Sequence, residues 1–385
     1  LKHGNFIHLK VRKMALTNFA ALTTEQKMVW SRDLWEQARD QMFINKFTGT
    51  DPNNVIQMVT ELTKTEKGEK AIMFLLAELE KDGVIGDDER EGNEEAMQSY
   101  DDEITLDLIS HGVRQKGKLA EQKTVIRFRE NARDRLSYWL ANRMDQLAFL
   151  TLSGVSYAYN NDGSTRTDTA FSNLAFASDV SAPTTNRHWR VTKDGSGVYT
   201  GLAAGATASV DATDTLCYAA VIDIVTKAKT NYIKPLMAGG KEYYVAFIRP
   251  EGLAQLKKDS DYQNAILSGL PRSEGNPWFT GATVTVDGLV LHEHRLVFNT
   301  LGATSGVAKW GAGSDVDGSR MLICGQQALG MVDLGAPEWA EKWFNYNASP
   351  GINVDKMFGL LKPKYYSQYN SAVEDFGVMA VDHAI

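Results

Sequence analysis

Residues 124–154 read TVIRFRENARDRLSYWLANRMDQLAFLTLSG, and this stretch decides the fold. Val125, Phe128, Ala132, Leu136, Leu140, Met144 and Leu147 recur at spacings of three or four, which puts them on one face of a helix. Arg127, Arg133, Asp134, Arg135 and Asn142 lie largely off that stripe. Gly154 supplies the stop, because glycine takes the left-handed conformation that closes a helix without strain. Read from about Leu119 to Ser153, the helix would reach about 50 Å at ~1.5 Å per residue. That is long for a compact domain. Its apolar face is expected to anchor a sheet, and its other face to meet a surface or a neighbour.

Immediately upstream, residues 71–117 read as a long two-stranded excursion. The outgoing run, Ala71–Leu79, is apolar throughout, whereas the returning run Glu103–Leu108 alternates as a half-buried strand does. Between Glu78 and Glu103 stand twelve acidic residues against two basic ones, Lys81 and Arg90. This segment alone carries −10, so the rest of a chain whose net charge is −7 carries +3. Gly83, Gly86 and Gly92 allow turns at its tip. Strands of about ten residues project roughly 34 Å. A hairpin of that length has too little core to stay rigid alone, so it is expected to lie mostly on adjacent subunits.

Further out, Phe19 to about Phe47 is helical and rich in aromatics, with Met28, Leu34, Trp35, Ala38, Met42 and Phe43 forming a stripe that ends at Thr48-Gly49-Thr50-Asp51-Pro52. Residues 1–13 read as an extension ahead of Met14. On the other side, 154–212 is dominated by Gly, Ser, Thr, Ala, Asn and Asp and reads as loop-rich, with a short strand around Arg187–Thr192. A mixed region follows. Helices are expected over Thr215–Asn231 and Pro250–Asp259, and strands over Glu242–Ile248, Ala282–Val286, Gly288–Leu291, Met321–Cys324 and Gly377–Val381.

At 385 residues, two or three subdomains are the natural expectation. Hydrophobic content of 43% with 23% charged residues is a globular profile, and no run of about eighteen apolar residues is present to cross a membrane. Acidity argues against a dedicated nucleic-acid binder. Two distant cysteines, Cys217 and Cys324, make neither a disulfide framework nor a thiolate metal site.

Chemistry-bearing motifs are sparse. Gly195–Gly201 resembles a phosphate loop in glycine content, but its spacing is off by one and no helix follows, so it reads as a surface loop. His292-Glu293-His294 would put two imidazoles on one strand face, yet no third ligand accompanies them, and the pair reads as a polar strand edge. Asp87, Glu89, Glu91 and Gly92 match part of a calcium loop whose twelfth position is Gln98 rather than glutamate. No catalytic, cofactor-binding or metal-binding residue is assigned, no cofactor is expected, and the chain is read as a non-enzyme.

The order of segments resembles the major capsid protein of tailed bacteriophages, and is similar to the capsid family of podophages that carry a virion RNA polymerase. The carrying residues are Gly83-Val84-Ile85-Gly86-Asp87 and Glu91-Gly92-Asn93-Glu94-Glu95 in the hairpin, then His111-Gly112-Val113-Arg114, Ala132-Arg133 and Trp139. Later ones are Pro250, Asp287-Gly288 before His292-Glu293-His294, and Asp375-Phe376-Gly377-Val378. The resemblance spans Ala15 to Ile385 and implies an α+β fold. Its expected parts are an N-terminal arm (1–54), an extended hairpin or E-loop (55–118), a spine helix of a peripheral domain (119–153) and a loop-rich insertion (154–212). An axial domain with adjoining peripheral strands (213–345) and a C-terminal return to the peripheral domain (346–385) complete it.

The function so implied is self-assembly into hexamers and pentamers of an icosahedral virion shell, synthesised in a bacterial host's cytoplasm. Portal, scaffold and decoration proteins are the implied partners, with double-stranded DNA enclosed and not bound by sequence, and no membrane involved. Two rivals are an encapsulin-like compartment shell and, from another class, a soluble enzyme. A cargo-peptide groove would favour the first, and a monomer with a deep polar pocket the second.

Overall fold

The computed structural model describes residues 24–60, 68, 70–76, 83–86, 90–91, 99–117, 128–269, 284–346, 348–367 and 369–385. The extension 1–13 and the expected helix start over 119–127 lie outside them. The chain opens with α1 (Thr24–Gln41), then β1 (Thr48–Gly49), β2 (Ile56–Val59), β3 (Lys70–Leu76), β4 (Ser99–Thr105) and β5 (Asp107–Arg114). The spine, α2 (Phe128–Ser153), precedes β6 (His188–Lys193), β7 (Tyr199–Ala204), α3 (Tyr218–Thr230), β8 (Leu236–Ala238) and β9 (Lys241–Ile248). Next come α4 (Pro250–Lys258), α5 (Ser260–Gly269), β10 (Val284–Val286), β11 (Leu289–Glu293), β12 (Gly318–Cys324) and β13 (Leu329–Asp333). The chain finishes with β14 (Glu338–Phe344), β15 (Ser349–Leu361), β16 (Lys364–Ser367), β17 (Ala372–Asp375) and β18 (Val378–Ala384).

The spine stripe is buried as its spacing predicts. Ala132, Leu136, Leu140, Met144 and Leu147 face the core and Arg135 faces solvent. From Leu147 to Ser153 every residue is buried, so the helix changes from amphipathic to enclosed along its length. Gly154, at φ +65°, closes it; a Cβ there would stand 2.3 Å from the Ser181 carbonyl oxygen. Helix α1 packs beside it through Leu34, Trp35 and Ala38. Met28, expected on the same stripe, is 63% exposed. Its turn lies on the right side of the helix but extends past the surface the helix covers, which periodicity does not reveal.

Two sheets flank α2. In the larger, β10-β11-β9-β12-β18-β6-β7 run in that order with β8 on β9. Its central strands β12 and β18 are buried at every position. Alternation explains this: Val245, Phe247, Leu322, Cys324, Val378 and Ala380 share the core with α2. Tyr244, Ala246, Ile248, Met321, Ile323, Met379 and Val381 pack with α3 and α4 on the other side. The smaller sheet is organised by the thirteen-residue β15, whose one edge takes β14 and then β13 while the other takes β5. Strands β2 and β1 continue from β13. Among the described residues no helix is long and apolar enough to cross a membrane.

Two readings of the sequence are revised by this architecture. The returning limb is not one strand over Glu103–Leu108: β4 pairs with β3, the chain breaks at Leu106, and β5 joins β15 of its own subunit. Alternation identified strand but not partner. The 154–212 stretch is irregular over its first half, yet β6 and β7 form an edge of the larger sheet, and Leu174, Phe176 and Val210 enter the core.

Buried charges lock the C-terminal strands. Arg320 donates to both oxygens of Asp382 (2.7 and 3.0 Å) and to the Ser153 carbonyl (2.8 Å), while His188 Nε2 lies 2.6 Å from Asp382. Burial pushes the Asp382 carboxyl up, but Arg320 and His188 more than offset it and hold it below its ordinary range. Lys362 meets Asp375 at 3.0 Å, both fully buried, and Arg187 meets Glu374 at 3.0 Å. Breaking such a pair leaves an uncompensated buried charge, costing about 3–5 kcal/mol.

Candidate assembly surface

The β3–β4 ribbon has two unlike faces. Ala71, Met73, Leu75 and Ile104 are buried against Val332 and Phe376, with Tyr365 and Leu361 beside them. Asp102 anchors this face by accepting the Lys364 backbone N–H (2.8 Å), and burial raises its pKa. Glycines form the floor on which the ribbon sits. A Cβ at Gly330 would stand 2.7 Å from Met73 Sδ, and one at Gly359 2.3 Å from the Thr105 carbonyl oxygen. The ribbon's base is therefore seated on its own subunit, which revises the expectation that the hairpin lies mostly on neighbours.

Its other face is open. Ile72 and Phe74 are 39% and 53% exposed, opposite Glu103 and Asp101 in register. An apolar edge beside an acidic edge is thus presented to solvent. At the tip, Gly83 and Gly86 have positive φ and Ile85 is 82% exposed. Most of the tip, including Lys81 and, from the calcium-loop comparison, Asp87, Glu89, Gly92 and Gln98, lies outside the described residues.

His292 and His294 do not form a polar strand edge. They pack into an aromatic cluster that ties α1's exit, the spine and the larger sheet together. Phe43 stacks on His294 at 4.3 Å and Phe149 at 5.1 Å, while Phe47 meets His292 edge-on at 4.9 Å and Phe247 at 5.0 Å. Burial, then Arg295 and Lys46, lowers His294 to about 4; burial and Lys46 lower His292. Both rings are neutral packing groups at pH 7. The exchange of period inside Phe43–Phe47, where α1 gives way to a short 3₁₀ turn, is held by Asp145, which accepts the Phe43 and Ile44 N–H groups at 3.0 and 3.2 Å.

Elsewhere the sequence candidates are also structural. Gly195–Gly201 is the turn and start of the β6–β7 hairpin, with Asp194 Oδ1 accepting the Ser196 and Val198 N–H groups at 2.9 Å each. Cys217 is half-buried and Cys324 fully buried, and neither is in a disulfide. Among the described residues no group of three or more His, Cys, Asp or Glu is placed to hold a metal ion.

The smaller sheet's outward face was not singled out from the sequence. Glu338, Ala340 and Lys342 are exposed, while Trp339 is buried and Glu341 and Trp343 are half-buried, an alternation that fades at the half-buried Phe344. Glu341 receives Arg129 of the spine through two bonds of 2.9 Å. In β15 the inward series is Ile352, Val354, Lys356 and Phe358. Lys356 breaks the apolar pattern: its ammonium lies 3.7 Å above the Trp35 ring and pairs with Asp333.

A helix between two sheets, with a separate two-stranded amphipathic ribbon seated on the smaller sheet and its apolar edge exposed, is the arrangement of this chain. A family model described as a phage capsid protein matches residues 18–385, and the chain belongs to that family. It is 49% identical over 367 residues to a major capsid protein of Pseudomonas phage KPP25, covering 95% of this chain and 96% of that protein. Among solved structures, the capsid of Ralstonia phage GP4 superposes with a TM-score of 0.71 at 24% identity, covering 99% of this chain and 98% of that one. The capsid of cyanophage Pam1 gives 0.68 at 20% identity, covering 100% and 99%. The α+β fold is that of the tailed-phage capsid subunit.

Proposed function

We propose that this chain is the major capsid protein of a bacteriophage, assembling into hexamers and pentamers of an icosahedral shell around double-stranded DNA. The observation that carries this reading is the ribbon: one face is seated on Gly330 and Gly359, while Ile72 and Phe74 stand exposed beside Asp101 and Glu103. A lone subunit gains nothing from that open apolar edge, and a neighbour covering it gains the hydrophobic free energy of its burial. On this reading α2 with the smaller sheet is the peripheral domain and the larger sheet with α3 and α4 is the axial one, so the last strand, β18, returns to the axial domain and not to the peripheral one expected for 346–385. Portal, scaffold and decoration proteins are its further partners, DNA is contained without sequence recognition, and the chain does no catalysis. Synthesis takes place in the bacterial cytoplasm.

Electron microscopy of the expressed protein, with sedimentation, tests the proposal. Closed particles are expected from the natural sequence, and Phe74→Ser should lower their yield while leaving a folded subunit. A natural-sequence protein that stays monomeric at every concentration and salt tried would refute it.

A further inference from the structure

The outward face of the smaller sheet is polarised along its strands. Register places Arg114, Gly351 and Lys342 in one row and Gly112, Asn353 and Ala340 in the next. Ser110, Asp355 and Glu338 form the third, and Leu108 with Met357 the fourth. One end is basic, with Arg114 and Lys342 both over the Phe344 ring at 4.4 and 5.3 Å. The other end is acidic, then apolar. Glu338 and Asp355 are direct cross-strand partners of like charge, an arrangement that destabilises a sheet. Neither has an ion pair among the described residues.

Beyond them Leu108 (44% exposed) and Met357 (45% exposed), with Leu334, Gly335 and Ala336, line a shallow, open apolar recess of about 20 Å³. That is room for about one water and far below the ~300–1,000 Å³ of small-molecule sites, so the recess is a dimple that a flat ring can cover but not enter.

A side chain suited to it stands at the opposite end of the same face. Tyr346, in the β14–β15 turn, is fully exposed (103%). Asn345 and Tyr346, in the four-residue loop between the paired Phe344 and Ser349, both have positive φ (+51° and +52°). A tyrosine in the second position carries strain that the isolated subunit does not use. Eight residues separate Glu338 from Tyr346, roughly 27 Å of strand, so knob and recess cannot meet within one chain.

We propose that Tyr346 of one subunit packs over the exposed Leu108 and Met357 of a second copy of this chain, in a head-to-tail contact. The ring lies flat on the apolar floor, and the phenol O–H donates to the Glu338 or Asp355 carboxylate at the rim. The basic end of one copy approaches the acidic end of the next, which steers the encounter and offsets the like-charge pair. A contact between two different patches of one chain closes into a ring when its rotation permits. Only this closure rests on the reading of the chain as a shell subunit; the contact itself stands apart from it.

The test is cross-linking in a Cys217→Ser background, where only the buried Cys324 remains. Tyr346→Cys and Leu108→Cys proteins are assembled together, oxidised mildly and run on a non-reducing gel, both as pelleted particles and as soluble oligomers. Dimers are expected from the mixture and not from either protein alone, because a disulfide needs Cα atoms within about 7 Å. A mixture no richer in dimer than its components overturns the proposal. So does efficient dimerisation of Tyr346→Cys by itself, which would mean tips meet tips, or of Ile85→Cys with Leu108→Cys, which would give the recess to the ribbon tip. Tyr346→Ala should leave subunit melting unchanged and raise the protein concentration needed for assembly tenfold or more, with Tyr346→Phe between it and the natural sequence. Unchanged assembly by Tyr346→Ala also overturns it. Particles of the natural sequence, seen by microscopy, test the shell reading separately.

Discussion

Truncating Leu140 to alanine removes a side chain at the middle of the spine that is fully buried. It shares its core with Leu34, Trp35 and Ala38 of α1 and with Ile352, Val354 and Phe358 of β15. Packed by a helix on one side and a sheet on the other, the site has little freedom to collapse. The loss should therefore fall in the upper part of the ~2–5 kcal/mol range for buried Leu→Ala changes, of which the cavity contributes about 24 cal/mol per Å³. Against a domain stability of ~5–15 kcal/mol this is a large fraction. Arg135→Ala, at an exposed position five residues earlier, should stay within ~0.5 kcal/mol. The assay is urea unfolding of unassembled subunits at fixed pH, followed by tryptophan fluorescence and circular dichroism, with soluble yield as a second readout. A lowered midpoint with unchanged slope is expected for Leu140→Ala. Equal midpoints for Leu140→Ala and the natural sequence, or a larger drop for Arg135→Ala, would refute the assignment of the buried face.

His294 is lowered in the folded subunit to about 4, so its neutral form contributes stability that is complete above pH 6.5 and is lost as pH falls through about 4. His294→Phe keeps the stack on Phe43 and should flatten that part of the pH–stability curve; an unaltered acid limb would count against it. Gly359→Ala forces a Cβ against the Thr105 carbonyl and should cost about 1–3 kcal/mol while loosening β4, seen as faster proteolysis within Ser99–Thr105. Gly195→Ala, where a Cβ meets nothing within 4 Å, is the control and should leave cleavage unchanged.

The legible parts of this fold are those in which periodicity and partner coincide. The α2 stripe, α3 and the buried strands β9, β12 and β18 carry apolar runs whose spacing alone sets their geometry. Where the partner lies far along the chain, spacing is silent. Strand β5 looks like a continuation of β4 until Ser349–Leu361 is known to pair with it, and Met28 looks buried until α1 is seen to outrun its support. The β13–β15 region went unread for a different reason. Lys356 occupies an inward position, and a lysine there argues against a core strand unless Asp333 and the face of Trp35 are known to receive it.

The same principle governs the surface. His292 and His294 drew notice because their residue type is chemically versatile, yet their environment is aromatic and their role is packing. Tyr346 drew none, because a tyrosine in a polar turn has no motif. Its significance comes only from full exposure, a left-handed backbone and a recess at the far end of its own sheet. Functional residues of an enzyme converge on a reacting atom and leave a local signature of type and spacing. Those of an assembling subunit complete their sites with another copy, so half of each constellation lies on a different molecule. What a single chain displays is the unfinished part: an apolar edge beside acids on the ribbon, an opposed Glu338–Asp355 pair with no cation among the described residues, and a ring held out into water. On the proposed reading, each is a cost to the lone subunit that a second subunit offsets.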